Sequence, residues 1–293
     1  MEEYNSKYSS EILIKDKKFE IDKIKYYNLY LSFDFSSLLI GVVDINTKDC
    51  LYIEKVAFSL IENSLDFLTQ LDSLFDGHNF LKVQFWNKVM VCFKSNAFSL
   101  VPKSFFESSK AYFFLKTNTP VDLTKEKVLF NSSNQVVSVF SCESKVLDWF
   151  SASFSKSSLT IIHHSACVLK SIMSEFALDN QNSFYLHIDD NRLTVIYGSK
   201  HKLEYCNIFD FTTQEELLDL IFYVVNELDL NIDNIETIVW INNNNLKIIV
   251  QKLKDAFHNL FLGVRPYSLN FSYDFDEIEE YQYFDLLSMH SCA

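Results

Sequence analysis

The sequence repeats one plan twice, and a repeat fixes architecture before any single motif does, because two copies of one plan must fold alike. Residues 29–58 form three apolar, β-prone runs, Leu29–Asp34, Leu38–Val43 and Leu51–Val56. Phe35-Ser36-Ser37 and Asn46-Thr47-Lys48-Asp49 separate them, which is the pattern of an antiparallel meander. Ile61, Leu65, Leu68, Leu71 and Phe75 follow at helical spacing. The same order returns at Phe184–Asp189, Leu193–Tyr197 and Leu203–Cys206, with a helix expected from Gln214 to Leu228. At an offset of 155, Tyr30, Leu31, Asp34 and Leu38 meet Tyr185, Leu186, Asp189 and Leu193. At 153, Tyr52, Phe58, Glu62, Leu65 and Asp66 meet Tyr205, Phe211, Glu215, Leu218 and Asp219, and at 154 Trp86 meets Trp240. The slips fall in hairpin loops, where insertions are tolerated.

Between the copies the pattern predicts a strand pair at Leu81–Trp86 and Val89–Phe93 and a helix after Pro102. Further strand follows over Val128–Ser141, then a helix through Val146–Phe150, a strand at Leu159–Ile162 and a helix from Ser165 to Phe176. After the second meander come a strand at Ile238–Ile241 and a helix carrying Leu246, Ile249, Leu253 and Phe257. Residues 1–20 mix Lys and Glu without periodicity and read as an extra strand or a loose arm.

Composition excludes several function classes. With 293 residues, 48% of them hydrophobic, the chain can bury a sizeable core. A formal charge of -13 without a basic patch argues against nucleic acid and anionic lipid as partners. Four glycines and three prolines are very few, and glycine is what lets a backbone close around a phosphate. The 28 Phe and 15 Tyr suit either an aromatic-rich core or an aromatic binding surface. Six cysteines fall singly, with no CxxC pair, which fits a reducing cytoplasm. The polar start Met1-Glu2-Glu3-Tyr4-Asn5 reads as no export signal, and the apolar run Leu38–Val43 is too short for a membrane span.

A three-strand meander, helix, strand and helix, present twice with an Asp closing each first strand, resembles the actin-like ATPase (ribonuclease-H-like) fold of actin, sugar kinases and pilus or division ATPases. Nearly the full length also resembles an uncharacterised bacterial, Bacteroidota-type family, domain-of-unknown-function family 3822, with that same fold. The residues that carry this likeness are Leu31–Ser37, Leu100-Val101-Pro102, His164, Asn207-Ile208-Phe209 before Thr212–Glu216, and the closing Phe284–Cys292. The resemblance implies an α/β chain of two mixed-sheet domains flanked by helices around a cleft, residues 1–179 and 180–293.

In catalytic members of that fold each phosphate loop is Asp-x-Gly, since backbone N–H groups must approach phosphate with no Cβ in the way. The corresponding stretches here, Asp34-Phe35-Ser36-Ser37-Leu38 and Asp189-Asp190-Asn191-Arg192-Leu193, contain no glycine. Asn242-Asn243 stands where nucleotide-binding members carry a Gly-Gly pair. These departures favour a degenerate, non-catalytic, cytoplasmic interaction or scaffold protein with an unknown protein partner and no cofactor. The alternative is an atypical Mg-nucleotide or phosphometabolite-binding, kinase-like enzyme. Asp34 and Asp189 would then hold Mg-ATP, with Ser36, Ser37, Asn191, Arg192, Asn242 and Asn243 as contacts. The structural alternative for the two Asp residues is that each caps a turn between strands. His163-His164-x-x-Cys167, with His290 and Cys292, offers zinc-ligand types but no second closely spaced pair, so no metal site is expected. The acidic run Asp274–Glu280 reads as a solvated face or as an edge for a basic partner.

Overall fold

The computed structural model describes residues 8–59, 61–176, 182–199, 202–242 and 247–293. They form two compact units. One comprises the chain up to Ala166 with Ser268–Glu277 and Met289–Ala293; the other comprises Cys167–Tyr267 with Ile278–Ser288.

The first unit opens with β1 (Tyr8–Lys15), followed by β2 (Tyr27–Phe33), β3 (Ser37–Asp44) and β4 (Cys50–Phe58). The last three make the expected antiparallel meander. Helix α1 (Ser64–Gly77) then crosses over, and β5 (Lys88–Phe93) returns parallel to β2. A helix is the usual carrier of such a parallel return. Asn63 caps α1, its Oδ1 accepting from the Leu65 and Asp66 backbone N–H groups at 2.9 and 3.1 Å. β9 (Ser158–His163) extends the sheet to the order β1-β4-β3-β2-β5-β9. Leu29, Leu31, Leu38, Ile40, Val89 and Val91 on one face of this sheet pack against Phe67 and Leu71 of α1 and Phe150.

Between β5 and β9 lies a small antiparallel sheet, β6-β8-β7, of β6 (Phe98–Pro102), β7 (Glu126–Ser132) and β8 (Val136–Glu143). Helix α2 (Ala111–Lys116) covers it through Ala111 and Leu115, while α3 (Ser144–Ser153) packs its Val146 and Phe150 on the main core. Pro102 therefore closes a strand, and the expected helix starts only at Ala111 after two short 3-10 turns.

The second unit holds the other copy. β10 (Asn182–Asp189), β11 (Arg192–Ser199) and β12 (Lys202–Asp210) form the meander, and α5 (Gln214–Glu227) crosses over. β13 (Glu236–Ile241) pairs parallel with β10, α6 (Lys247–Ala256) crosses back, and β14 (Leu260–Leu262) pairs parallel with β13. The order β12-β11-β10-β13-β14 matches β4-β3-β2-β5-β9 strand for strand, so the duplication holds in three dimensions. Ahead of this sheet, the helix expected from Ser165 to Phe176 is present as α4 (His164–Ser171), which continues into a π-helical turn over Ile172–Phe176.

Two sequence expectations are corrected. Leu81–Trp86 is not a strand, because Phe80, Leu81 and Trp86 turn into the core from irregular chain and only Lys88–Phe93 pairs. Trp86 and Trp240 are not equivalent either. Ser32 pairs with Cys92 as His187 pairs with Trp240, so Cys92 is the true counterpart of Trp240. The Tyr52–Tyr205 match survives, since these residues lie opposite Val42 and Tyr197 of matching strands.

Glu54, on β4, is 4% exposed. It accepts from the Tyr52 hydroxyl at 2.6 Å and lies 3.0 Å from His78 Nε2 at the end of α1. Burial pushes its carboxyl pKa up, but the contacts with His78, Tyr52 and Ser10 together outweigh this and hold it below the usual value. A depressed folded-state pKa means this stabilisation is complete above the unfolded carboxyl value and is lost as pH falls through the folded one. Glu54→Gln is expected to lower stability at pH 7 by about 3 kcal/mol. The gap to wild type should narrow below roughly pH 4, as read by urea unfolding across pH.

Candidate functional site

In open sheets with parallel strands, ligands sit beyond the carboxyl ends of those strands. Each unit brings two such ends together, β2 with β5 and β10 with β13. The backbone makes the same closing bond in both: Lys94 N–H donates to the Phe33 carbonyl at 3.0 Å, and Asn242 N–H donates to the Ile188 carbonyl at 2.9 Å.

In the first unit Asp34 follows β2 and holds its own turn. Its Oδ1 accepts from Ser36 N–H at 2.8 Å, Ser36 Oγ at 2.6 Å and Ser37 N–H at 3.0 Å. The Ser36 carbonyl accepts from Phe58 N–H, as the Asn191 carbonyl accepts from Phe211 N–H in the second unit. Ser36 is exposed and Ser37 buried. Lys94, 6% exposed, stands where the second unit has Asn242. Nearby in the sheet order, His163 ends β9 with Nδ1 at 2.7 Å from Ser165 Oγ and Nε2 at 3.0 Å from the Ser95 carbonyl. Its ring stacks on Phe98 at 5.1 Å. His290 places Nδ1 3.1 Å from the Tyr30 hydroxyl. Two imidazoles of a zinc reading, His163 and His290, are thus engaged in packing and turn contacts. Among the described residues no group of three or more His, Cys, Asp or Glu is placed to hold a metal ion.

In the second unit the strand ends carry a buried polar cluster. Asp189 is 7% exposed, and His187 and Asp285 are buried. Asn242 links them. Its Nδ2 donates to Asp285 Oδ1 at 2.8 Å and Asp189 Oδ1 at 3.2 Å, while its Oδ1 accepts from Tyr283 N–H at 2.8 Å. His187 Nε2 lies 3.7 Å from Asp285 Oδ1. Asp189 also accepts from Asp190 N–H at 3.1 Å. Asp285 and Tyr283 come from the closing segment, where α7 (Phe284–Ser288) lies with Phe284 stacked on Trp240 at 4.1 Å. The Ile241 N–H donates to the Tyr281 carbonyl, which continues the seating of this segment on β13. Tyr283 takes a left-handed φ of 58°, a costly conformation for an aromatic residue that its bond to Asn242 helps to hold. Trp240 is packed from behind by Gly263, where a Cβ would fall 2.2 Å from the indole.

Of the remaining candidates, Asn191 is an exposed turn residue and Arg192 points its Nε to within 3.5 Å of Asp210. Asn243 lies outside the described residues. In the acidic run, Phe275 and Ile278 are buried anchors, and Asp274 accepts from the Lys17 N–H at 3.4 Å.

A family model described as Protein of unknown function (DUF3822) matches residues 16–260. The chain belongs to that family. A solved Bacteroides thetaiotaomicron protein of unknown function with an actin-like ATPase fold superposes with a TM-score of 0.75 at 17% identity. The match covers 94% of this chain and 99% of that one. A second neighbour comes from the PilM-PilN type IV pilus biogenesis complex, with a TM-score of 0.60 and 11% identity over 91% of this chain and 98% of that one. No curated protein matches the chain. The fold of this family member is therefore actin-like, and no helix among the described residues is long and apolar enough to cross a membrane.

Sequence reasoning singled out Asp34, Asp189 and Asn242 but missed Lys94, His187 and Asp285. Lys94 was reachable by carrying Asn242 back through the strand register. Asp285 had only the closing Phe284–Cys292 motif as a signal, with no spacing that ties it to β13. Replacing Asn242 by Gly removes the amide from two buried carboxylates and the acceptor from Tyr283 N–H. The expected loss is about 3 kcal/mol in urea unfolding, and a loss under roughly 0.5 kcal/mol, the size of an ordinary surface change, would show that the cluster does not hold the closing segment.

Proposed function

We propose that this family member is a non-catalytic, cytoplasmic interaction or scaffold protein that keeps the actin-like fold without its nucleotide chemistry. The observation that carries the reading is the Asn242 side chain, whose oxygen and nitrogen are engaged by Tyr283, Asp285 and Asp189 in a buried cluster. The closing segment sits on the strand ends that a ligand of such a sheet would use. Mg-ATP does not fit the residues present. Asp34 Oδ1 is taken up by its own turn, and both turn loops lack the glycine that a phosphate would need against the backbone. Support for a protein partner comes from the fold neighbour, which was solved from a complex of two named proteins. Support for the cytoplasm comes from cysteines spread singly in the sequence.

A thermal-shift titration with Mg-ATP, Mg-ADP and a control anion tests this. A ligand that binds only the native state stabilises it by ~2.7 kcal/mol at a hundredfold excess over Kd. The expected response is flat at millimolar nucleotide. A nucleotide-specific, magnesium-dependent rise that disappears in Asp34→Asn and Asp189→Asn would instead establish the kinase-like alternative.

A further inference from the structure

The two copies differ at one sheet edge. In the first unit the outer flank of β4 is covered by β1, which runs antiparallel along Tyr52–Phe58. In the second unit β12 is the terminal strand, and among the described residues nothing pairs with its outer flank. The register makes Tyr205–Phe211 the counterpart of the covered stretch, and the irregularity in the β3–β4 pairing recurs between β11 and β12.

Three features of this flank bear on what it can take up. The tight turn between Asp189 and Arg192 sets the ladder alternation, which directs the backbone groups of Cys206 and Ile208 away from β11. The Ile208 N–H confirms this, because it donates to the Asn207 side-chain oxygen at 2.9 Å, an internal acceptor in the place a neighbouring strand's carbonyl would take. Its counterpart Lys55 is paired with Ile12 of β1. Exposure differs in the same sense. Tyr52, Ile53, Glu54 and Val56 of β4 are buried, whereas their counterparts Tyr205, Cys206, Asn207 and Phe209 on β12 are half-buried; only at Lys55 and Ile208 is the order reversed.

We infer that the outer edge of β12 binds an extended segment of a partner protein by antiparallel strand addition. The occupant's chemistry is set by what fills the equivalent edge of the first copy: a proline-free run of eight residues with the polar start and apolar centre of β1, Tyr8-Ser9-Ser10-Glu11-Ile12-Leu13-Ile14-Lys15. Main-chain hydrogen bonds carry affinity in this mode, and alternate side chains carry selectivity. A partner segment is favoured over a second copy because the net charge of -13 opposes self-association. The inference stands on this edge alone and does not depend on whether the strand ends bind nucleotide.

The probe is a fluorescein-labelled synthetic peptide with the β1 sequence, titrated into the full chain by anisotropy and followed by hydrogen exchange. Saturable binding is expected, with new amide protection at Cys206 and Ile208. Ile208→Pro, which deletes the outward N–H, should weaken binding about tenfold, the equivalent of one hydrogen bond. Asn207→Val removes the competing internal acceptor, leaves the N–H in place, and should tighten binding severalfold. The inference is overturned by an absence of saturation at about millimolar peptide, by protection appearing on β4 as the peptide exchanges with β1, or by concentration-dependent protection of the β12 amides without peptide.

Discussion

The parallel pairing of a meander's first strand with the strand after the crossover helix governs both units. Once β5 lies beside β2, and β13 beside β10, the carboxyl ends of both strands must emerge side by side. The residues just past them become neighbours whatever their identity. That is why the bond from Lys94 to Phe33 recurs as the bond from Asn242 to Ile188, although the side chains are a cation and an amide. A fold of this kind guarantees a meeting point, and chemistry at that point is left to individual residues.

In the second unit those residues serve structure. A buried amide with three partners, two of them carboxylates, is a high-stakes arrangement: satisfied it specifies one geometry, and half-satisfied it is costly. Here it fixes where the closing segment sits, and it does so with Tyr283 in a left-handed conformation and Phe284 against Trp240. Gly263 completes the packing, since any side chain there would collide with the same indole. Trp240 thus meets both the Gly263 backbone and the Phe284 ring, so the polar and apolar contacts of this region support one another.

Much of the fold was legible because both units are built on strong local periodicity. Alternating and continuous apolar runs gave β2 to β4 and β10 to β12, and helical spacing gave α1 and α5. Failures came where local pattern and tertiary role diverge. Phe80, Leu81 and Trp86 look like strand but are core anchors on irregular chain. The Trp86–Trp240 identity matched by residue type alone and was displaced once strand register fixed true equivalence. β6 and β14 are short and pair only with distant chain, so nothing local announces them. Of the candidate residues, turn chemistry made Asp34 readable as a cap, whereas the link from Asn242 to Asp285 spans 43 positions and has no local signature.

The differences between the two copies follow from how each sheet ends. A meander leaves its third strand with an open flank, and an open flank is either covered, charged or used. The first copy covers it with β1, at the cost of burying Glu54 and satisfying it with Tyr52 and His78. The second copy carries no such charge at the equivalent position. It has Asn207 there, a short side chain that caps the outward-facing Ile208 N–H from within the same strand. An internal cap of this kind satisfies the donor without closing the edge, because an amide that reaches back along its own strand can be displaced by a better-placed carbonyl. The same duplicated plan therefore provides one closed sheet that stabilises the chain and one sheet whose edge remains open to exchange.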